Sequence, residues 1–150
     1  MIETITGALE ASAWAVALRH STWVYPLVNA AHILGMALLV GAIVSLDLRL
    51  AGLWKTVAVD GLKRVLMPVA LAGFGLAVIS GSLLFITRAT EYITSAWFLG
   101  KMGVIVLAGL NALWLLRSRR HSGRVGRIPA LASIALWVSA LVLGRLVGYF

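Results

Sequence analysis

The sequence predicts an all-α fold, a bundle of four helices that cross a membrane. Three observations carry that expectation. Hydrophobic residues fill 61% of the 150 positions and charged residues only 12%, against roughly 45–50% and about 25% in soluble domains. The charges are clustered, which leaves long stretches without an ionisable side chain. Four of these stretches reach the length of about 20 apolar residues that a helix needs to cross a hydrocarbon core of roughly 30 Å.

The first span runs from about Trp23 to Leu46 and the second from about Val65 to Thr87. The third covers about Ser95 to Leu116 and the fourth about Ile128 to Tyr149. Only the last two contain a charge, Lys101 and Arg145, each close enough to a helix end to snorkel to the interface. The four spans form one domain over residues 21–150. Residues 1–20 are shorter and mixed, with Leu9, Ala13, Val16 and Ala17 on one side and Glu3, Glu10 and Arg19 elsewhere. They read as an interfacial helix or a terminal tail, and without a basic n-region they do not read as a cleaved signal peptide.

Orientation follows from the basic residues at the helix ends. The loop between spans one and two carries Arg49, Lys55, Lys63 and Arg64; the loop between three and four carries Arg117, Arg119, Arg120, Arg124 and Arg127. Against these nine, the other side has four, Arg19, Arg88, Lys101 and Arg145. The excess places both loops in the cytoplasm and both termini outside. The formal charge of +8 is therefore a topology signal, and nucleic acid is not an expected partner; the bilayer is. Absence of cysteine excludes disulfides, thiolate clusters and cysteine nucleophiles.

Helices in lipid associate through close backbone contact at small residues rather than through hydrophobic gain. Such residues recur at four-residue spacing as Ala37, Gly41 and Ser45 in span one, Gly73, Ala77 and Gly81 in span two, and Ala140, Gly144 and Gly148 in span four. These rows are candidate packing surfaces, within the chain or toward a second copy or partner subunit.

Span one holds the most informative polar group. Tyr25, Asn29, His32 and Met36 are spaced four, three and four apart, which places them within about 60° of one another on a helix. His32 lies roughly 13 Å below Trp23, deep in the bilayer, where ionisable groups face the bundle interior and mark function. Neutral imidazole binds haem iron and copper, and Met36 one turn away, with Met102, offers a soft thioether. His32 otherwise serves as a hydrogen-bonding group between helices.

His20 reads as an exposed interfacial residue unless a bend at Pro26 swings it inward, and His121 lies among the cytoplasmic arginines. A second ligand therefore comes either from a two-fold mate of His32 or from His20. On the outer side Lys101, Arg88, Arg145, Glu91 and Tyr92 form a group able to hold haem propionates, or lipid phosphates. Asn111 in span three is expected to bond across helices. No phosphate-cradling loop, carboxylate pair or serine–histidine–acid set is present, so a self-contained enzyme active site is not expected.

The stretches WVYPLVNAAHILGMALLVGAIVSLDLRLAG and GSLLFITRATEYITSAWFLGKMGVIVLAGLNALW resemble a bacterial family of four-helix membrane proteins classed as a domain of unknown function. The likeness covers about residues 19–116 and implies location in the bacterial inner membrane. More distantly, the histidine-then-glycine helix and the helix from Lys101 to Asn111 are similar to the membrane domain of CopD-type copper-resistance proteins and to small b-type cytochrome bundles. The positions that match are His32, Lys101 and Asn111. Where this chain has Asn29, such proteins tend to carry an acidic residue, which argues against a proton relay or cation site here.

Three functions follow as expectations. The first is a redox subunit binding b-type haem through His32, with Tyr25 and Asn29 beside it and Lys101, Arg145 and Arg88 on the propionates. The second is a copper-handling protein using His32 and Met36. The third is a cofactor-free accessory subunit whose small-residue rows dock it to copies of itself or to a partner.

Overall fold

A computed structural model describes residues 2–122 and 127–149 of the chain. Side chains of residues 118–122 are not part of this description, so Arg119, Arg120, His121 and Arg124 of the predicted basic loop lie outside the described residues. The described chain is helical, in the order α1 (Ile2–Glu10), α2 (Ala13–His20), α3 (Val24–Ala51), α4 (Val59–Thr87), α5 (Ala89–Thr94), α6 (Ala96–Ser122) and α7 (Arg127–Leu146). Helices α3, α4, α6 and α7 are long and apolar enough to cross a membrane and coincide with the four predicted spans. The fold class is the one read from the sequence, and the protein is a multi-pass integral membrane protein.

The outward surface supports this directly. Leu27, Ile33, Leu71, Ile79, Val106, Leu110 and Val142 are all more than half exposed, an arrangement that water would penalise and lipid accepts. Exposed Trp14, Trp23 and Trp97 lie toward the end that carries the termini, and Trp54 and Trp114 toward the end that carries the basic loops. Aromatic rings collect at such levels because one part of the ring is apolar and another is wet.

At 1.5 Å per residue the 28 residues of α3 and the 29 of α4 make rods of about 42 and 44 Å, longer than the hydrocarbon core. Both helices therefore run on into the headgroup layer. Asp47 ends the apolar run at the expected limit of span one, yet α3 continues to Ala51 and stops at Gly52. Gly52 has φ 111°, a left-handed conformation natural to glycine, and its N–H meets the Leu48 and Arg49 carbonyls.

Between α2 and α3 the helix breaks before Pro26. Ser21 terminates α2, and its Oγ accepts from the Val24 N–H at 3.0 Å. Pro26 then occupies the first turn of α3, where its missing N–H is not required. A bend at Pro26 that would swing His20 inward is absent for that reason, and His20 is exposed at the end of α2, as expected.

Side by side, the spans lie in the order α4, α3, α7, α6. Helices α4 and α6 make no close backbone approach among the described residues. At the terminal end Phe85 of α4, Tyr92 of α5 and Phe98 of α6 stack on one another, with Phe85 and Phe98 ring centroids 5.6 Å apart. Toward the basic end the space between α4 and α6 opens. Helices α1 and α2 pack over α4 and α5, where Glu10 Oε1 accepts from the Thr90 N–H at 2.7 Å.

The tightest joint is between α3 and α4. A Cβ built on Gly35 would lie 2.6 Å from the Ala77 nitrogen, and one on Gly73 2.6 Å from the Leu39 nitrogen. Gly73, Ala77 and Gly81 thus form the expected row on α4. The row expected on α3 is not the one used: Ala37 and Gly41 are exposed, and nothing lies within 4 Å of a Cβ on Gly41. His32, Gly35 and Leu39 face α4 instead. Below this joint Leu39, Val40, Ala42, Ala70, Ala108 and Trp137 form the apolar core, with Met36 packed against it.

Candidate functional site

His32 sits one turn before Gly35, so the joint that brings α3 onto α4 also presses the imidazole against α4. Nδ1 lies 3.0 Å from the Ala77 carbonyl oxygen and 3.2 Å from Ser80 Oγ. A carbonyl only accepts, and the Ser80 hydroxyl already donates to the Leu76 carbonyl. Both partners therefore require a proton on Nδ1, which leaves the Nε2 lone pair unprotonated in the neutral ring. Gly81 makes room for this placement, since a Cβ there would lie 2.9 Å from His32 Cε1.

Lys101 enters from α6. Its side chain lies along α7, where a Cβ on Gly144 would be 3.3 Å from Lys101 Cε. The ammonium has no hydrogen-bond or ion-pair partner among the described residues, and it lies near enough to His32 to act on it electrostatically. Small residues on two helices, Gly81 and Gly144, thus accommodate a histidine and a lysine in the same half of the bundle. An unpaired ammonium in an apolar surround favours an anionic partner.

The other predicted residues divide. Tyr25 is half-buried and interacts electrostatically with Tyr92. Burial, and then Tyr25, raise the Tyr92 hydroxyl above its ordinary value, with Arg88 acting in the opposite sense. Met36 shares the His32 face but is committed to the core, and Met102 is exposed. Asn29 is exposed as well. Arg88 pairs with Glu91 at 3.3 Å on the surface. Arg145 donates to Tyr149 Oη at 2.6 Å and lies over its ring. The structure therefore brings Lys101 toward His32 and leaves Arg88 and Arg145 with partners of their own. Asn111 bonds across helices as expected, donating from Nδ2 to the Pro129 carbonyl at 3.2 Å.

A second polar group was not apparent in the sequence. Asp47 of α3 and Ser133 and Trp137 of α7 are each at least 96% buried. Asp47 and Ser133 lie close enough for their side chains to interact, while Trp137 Nε1 has no hydrogen-bond partner among the described residues. The available signal was Ser133 and Trp137 one turn apart on a span, opposite an acidic residue at a span boundary.

In comparisons with protein-family models, curated proteins and solved structures, nothing matches this chain.

Proposed function

We propose that this protein is a redox or electron-transfer subunit of a bacterial inner membrane, holding a b-type haem with His32 Nε2 as an axial ligand. The observation that carries the reading is the hydrogen bond from Nδ1 to the Ala77 carbonyl. It fixes the ring and its tautomer and makes Nε2 more basic, as backbone partners do for metal-bound histidines. Lys101, without a counter-charge of its own, supplies the cation for a propionate. When bound, haem supplies a one-electron iron couple whose potential responds to ligand, burial and nearby charge. In this reading His32 would hold the group through Nε2 and Lys101 would neutralise a propionate, and a second copy's His32 related by a two-fold axis, or a partner subunit, would supply a further ligand.

The uncompensated Lys101 charge beside His32, and the commitment of Met36 to the core, favour an anion-bearing group over a copper ion. The termini face outward and the basic loops the cytoplasm in this proposal, by the excess of nine basic residues over four.

Absorbance of the detergent-purified protein tests the cofactor. A Soret band is expected that His32→Ala abolishes and Lys101→Met retains, with a shifted midpoint potential. A preparation that stays colourless after haem is supplied would refute the reading. Impermeant labels should reach cysteines placed in residues 3–20 from outside intact cells, and cysteines in the loop after α3 only after lysis.

A further inference from the structure

The gap between α4 and α6 contains a cavity of about 390 Å³ in the half of the bundle toward the basic loops. Its walls are almost wholly carbon, and the buried Asp47 Oδ2, Ser133 Oγ and Trp137 Nε1 atoms beside it offer next to no accessible surface. Leu71, Phe74 and Leu113 line it and also face outward, so its mouth opens sideways into hydrocarbon. Along α3 it extends from Leu39 to Leu50 and along α4 from Lys63 to Phe74, 11 positions in each case, or about 16 Å. That is close to one leaflet, half of a hydrocarbon core of roughly 30 Å. Spread over this length, 390 Å³ leaves a mean cross-section of about 24 Å², against about 80 Å² for a helix roughly 10 Å across. A single hydrocarbon chain can enter, and a helix from another subunit cannot.

A cation marks the interfacial end of this slot. Lys63, in the first turns of α4, borders the cavity with its aliphatic stem and has no hydrogen bond or ion pair among the described residues. Such a side chain keeps its stem in oil and carries its charge out to the headgroup layer. Arg64 follows it, exposed, and Asp60, one turn earlier, makes no ion pair with either. We infer that the slot holds one acyl chain of an anionic phospholipid, whose phosphate lies outside the cavity against Lys63. Charge selects the anionic class, because a choline headgroup already carries a cation beside its phosphate and a glycerol headgroup does not. Basic residues at clefts between spans recognise anionic headgroups in this way. The site involves neither His32 nor Lys101, so it stands or falls separately from the haem reading.

The test uses the full chain, delipidated in detergent, and native mass spectrometry with palmitoyl-oleoyl phosphatidylglycerol, the matching phosphatidylcholine and glycerol 1-phosphate as probes. Saturable binding of one phosphatidylglycerol per chain is expected, tighter than phosphatidylcholine, with no displacement by glycerol 1-phosphate. Lys63→Gln should weaken phosphatidylglycerol about fivefold, the effect of one basic residue beside an anionic headgroup, and leave phosphatidylcholine unchanged. Gly109 lines the cavity and has nothing within 4 Å of an added Cβ, so Gly109→Leu fills the slot without moving backbone. It should lose binding of both lipids while keeping or raising thermal stability. Should Gly109→Leu fail to fold, Ala112→Leu on the same wall serves in its place. Equal binding of the two lipids, uptake that never saturates, or displacement by glycerol 1-phosphate would overturn the assignment. So would unchanged phosphatidylglycerol binding by Lys63→Gln or by a folded slot-filling variant.

Discussion

Replacing Gly35 by alanine probes the joint on which the His32 site depends. The added Cβ would lie 2.6 Å from the Ala77 nitrogen and 2.9 Å from the Gly73 carbonyl oxygen, and ordinary contact begins at 3.4 Å. The opposing atoms are backbone and cannot rotate away, so α3 and α4 must separate locally by about 0.8 Å, the difference between 2.6 and 3.4 Å. Overpacking of this kind costs about 1–3 kcal/mol. The same shift would lengthen the 3.0 Å bond from His32 to Ala77 beyond hydrogen-bonding range, adding about 1–3 kcal/mol for the stranded groups. Alanine recovers about 1 kcal/mol of helix propensity. The net expectation is a loss of about 1–5 kcal/mol. Gly41→Ala, with open space around its Cβ, should be neutral or stabilised by up to about 1 kcal/mol. Reversible unfolding in mixed micelles measures both, and a histidine ¹⁵N spectrum reports whether Nδ1 keeps its proton. Equal stability of the two variants would refute the reasoning.

Four further outcomes are expected. Glu10→Ala removes the acceptor that meets the Thr90 N–H; a loss of about 0.5–2 kcal/mol should show as faster hydrogen exchange in α1 and α5, with the four spans unchanged. Asn111→Leu deletes the bond to Pro129 and should cost about 0.6 kcal/mol, at most about 1.7, in the same unfolding assay. Arg88→Ala breaks an exposed pair and should change stability by less than about 1 kcal/mol. Tyr92 is held above its ordinary value chiefly by burial, so the folded state retains a proton that the unfolded chain releases near pH 10. Its contribution is therefore intact below about pH 10 and lost as pH rises through the higher folded value. Absorbance at 295 nm should show a late-titrating component that is missing in Tyr92→Phe.

The spans were legible because hydropathy reports directly on the cost of placing a residue in lipid. Helix ends were less so: Asp47 interrupts the apolar run, but a helix can continue past it when the carboxyl turns toward a neighbouring span. Which face packs was legible on α4, where Gly73, Ala77 and Gly81 align, and not on α3. In lipid both faces of a helix are apolar, so no hydrophobic contrast distinguishes Gly35 from Gly41. His32 stood out as the deep ionisable group, yet its partners Ala77 and Ser80 are ordinary residues whose part depends on a carbonyl and a hydroxyl arriving from another helix. The Asp47, Ser133 and Trp137 group joins positions more than 80 apart in the chain, a juxtaposition that only the packing of α3 on α7 creates.

The neighbour order α4, α3, α7, α6 bears on how the protein is made. Each half is a hairpin of sequence-adjacent spans, α3 with α4 and α6 with α7, and among the described residues the α3–α7 contact, the shared apolar core and the aromatic stack join the halves along the membrane. An insertion machine could therefore release the first hairpin with its glycine joint already closed, before the second has been synthesised. Pulled apart by force from its two ends, such a molecule should come out in two steps, one hairpin at a time.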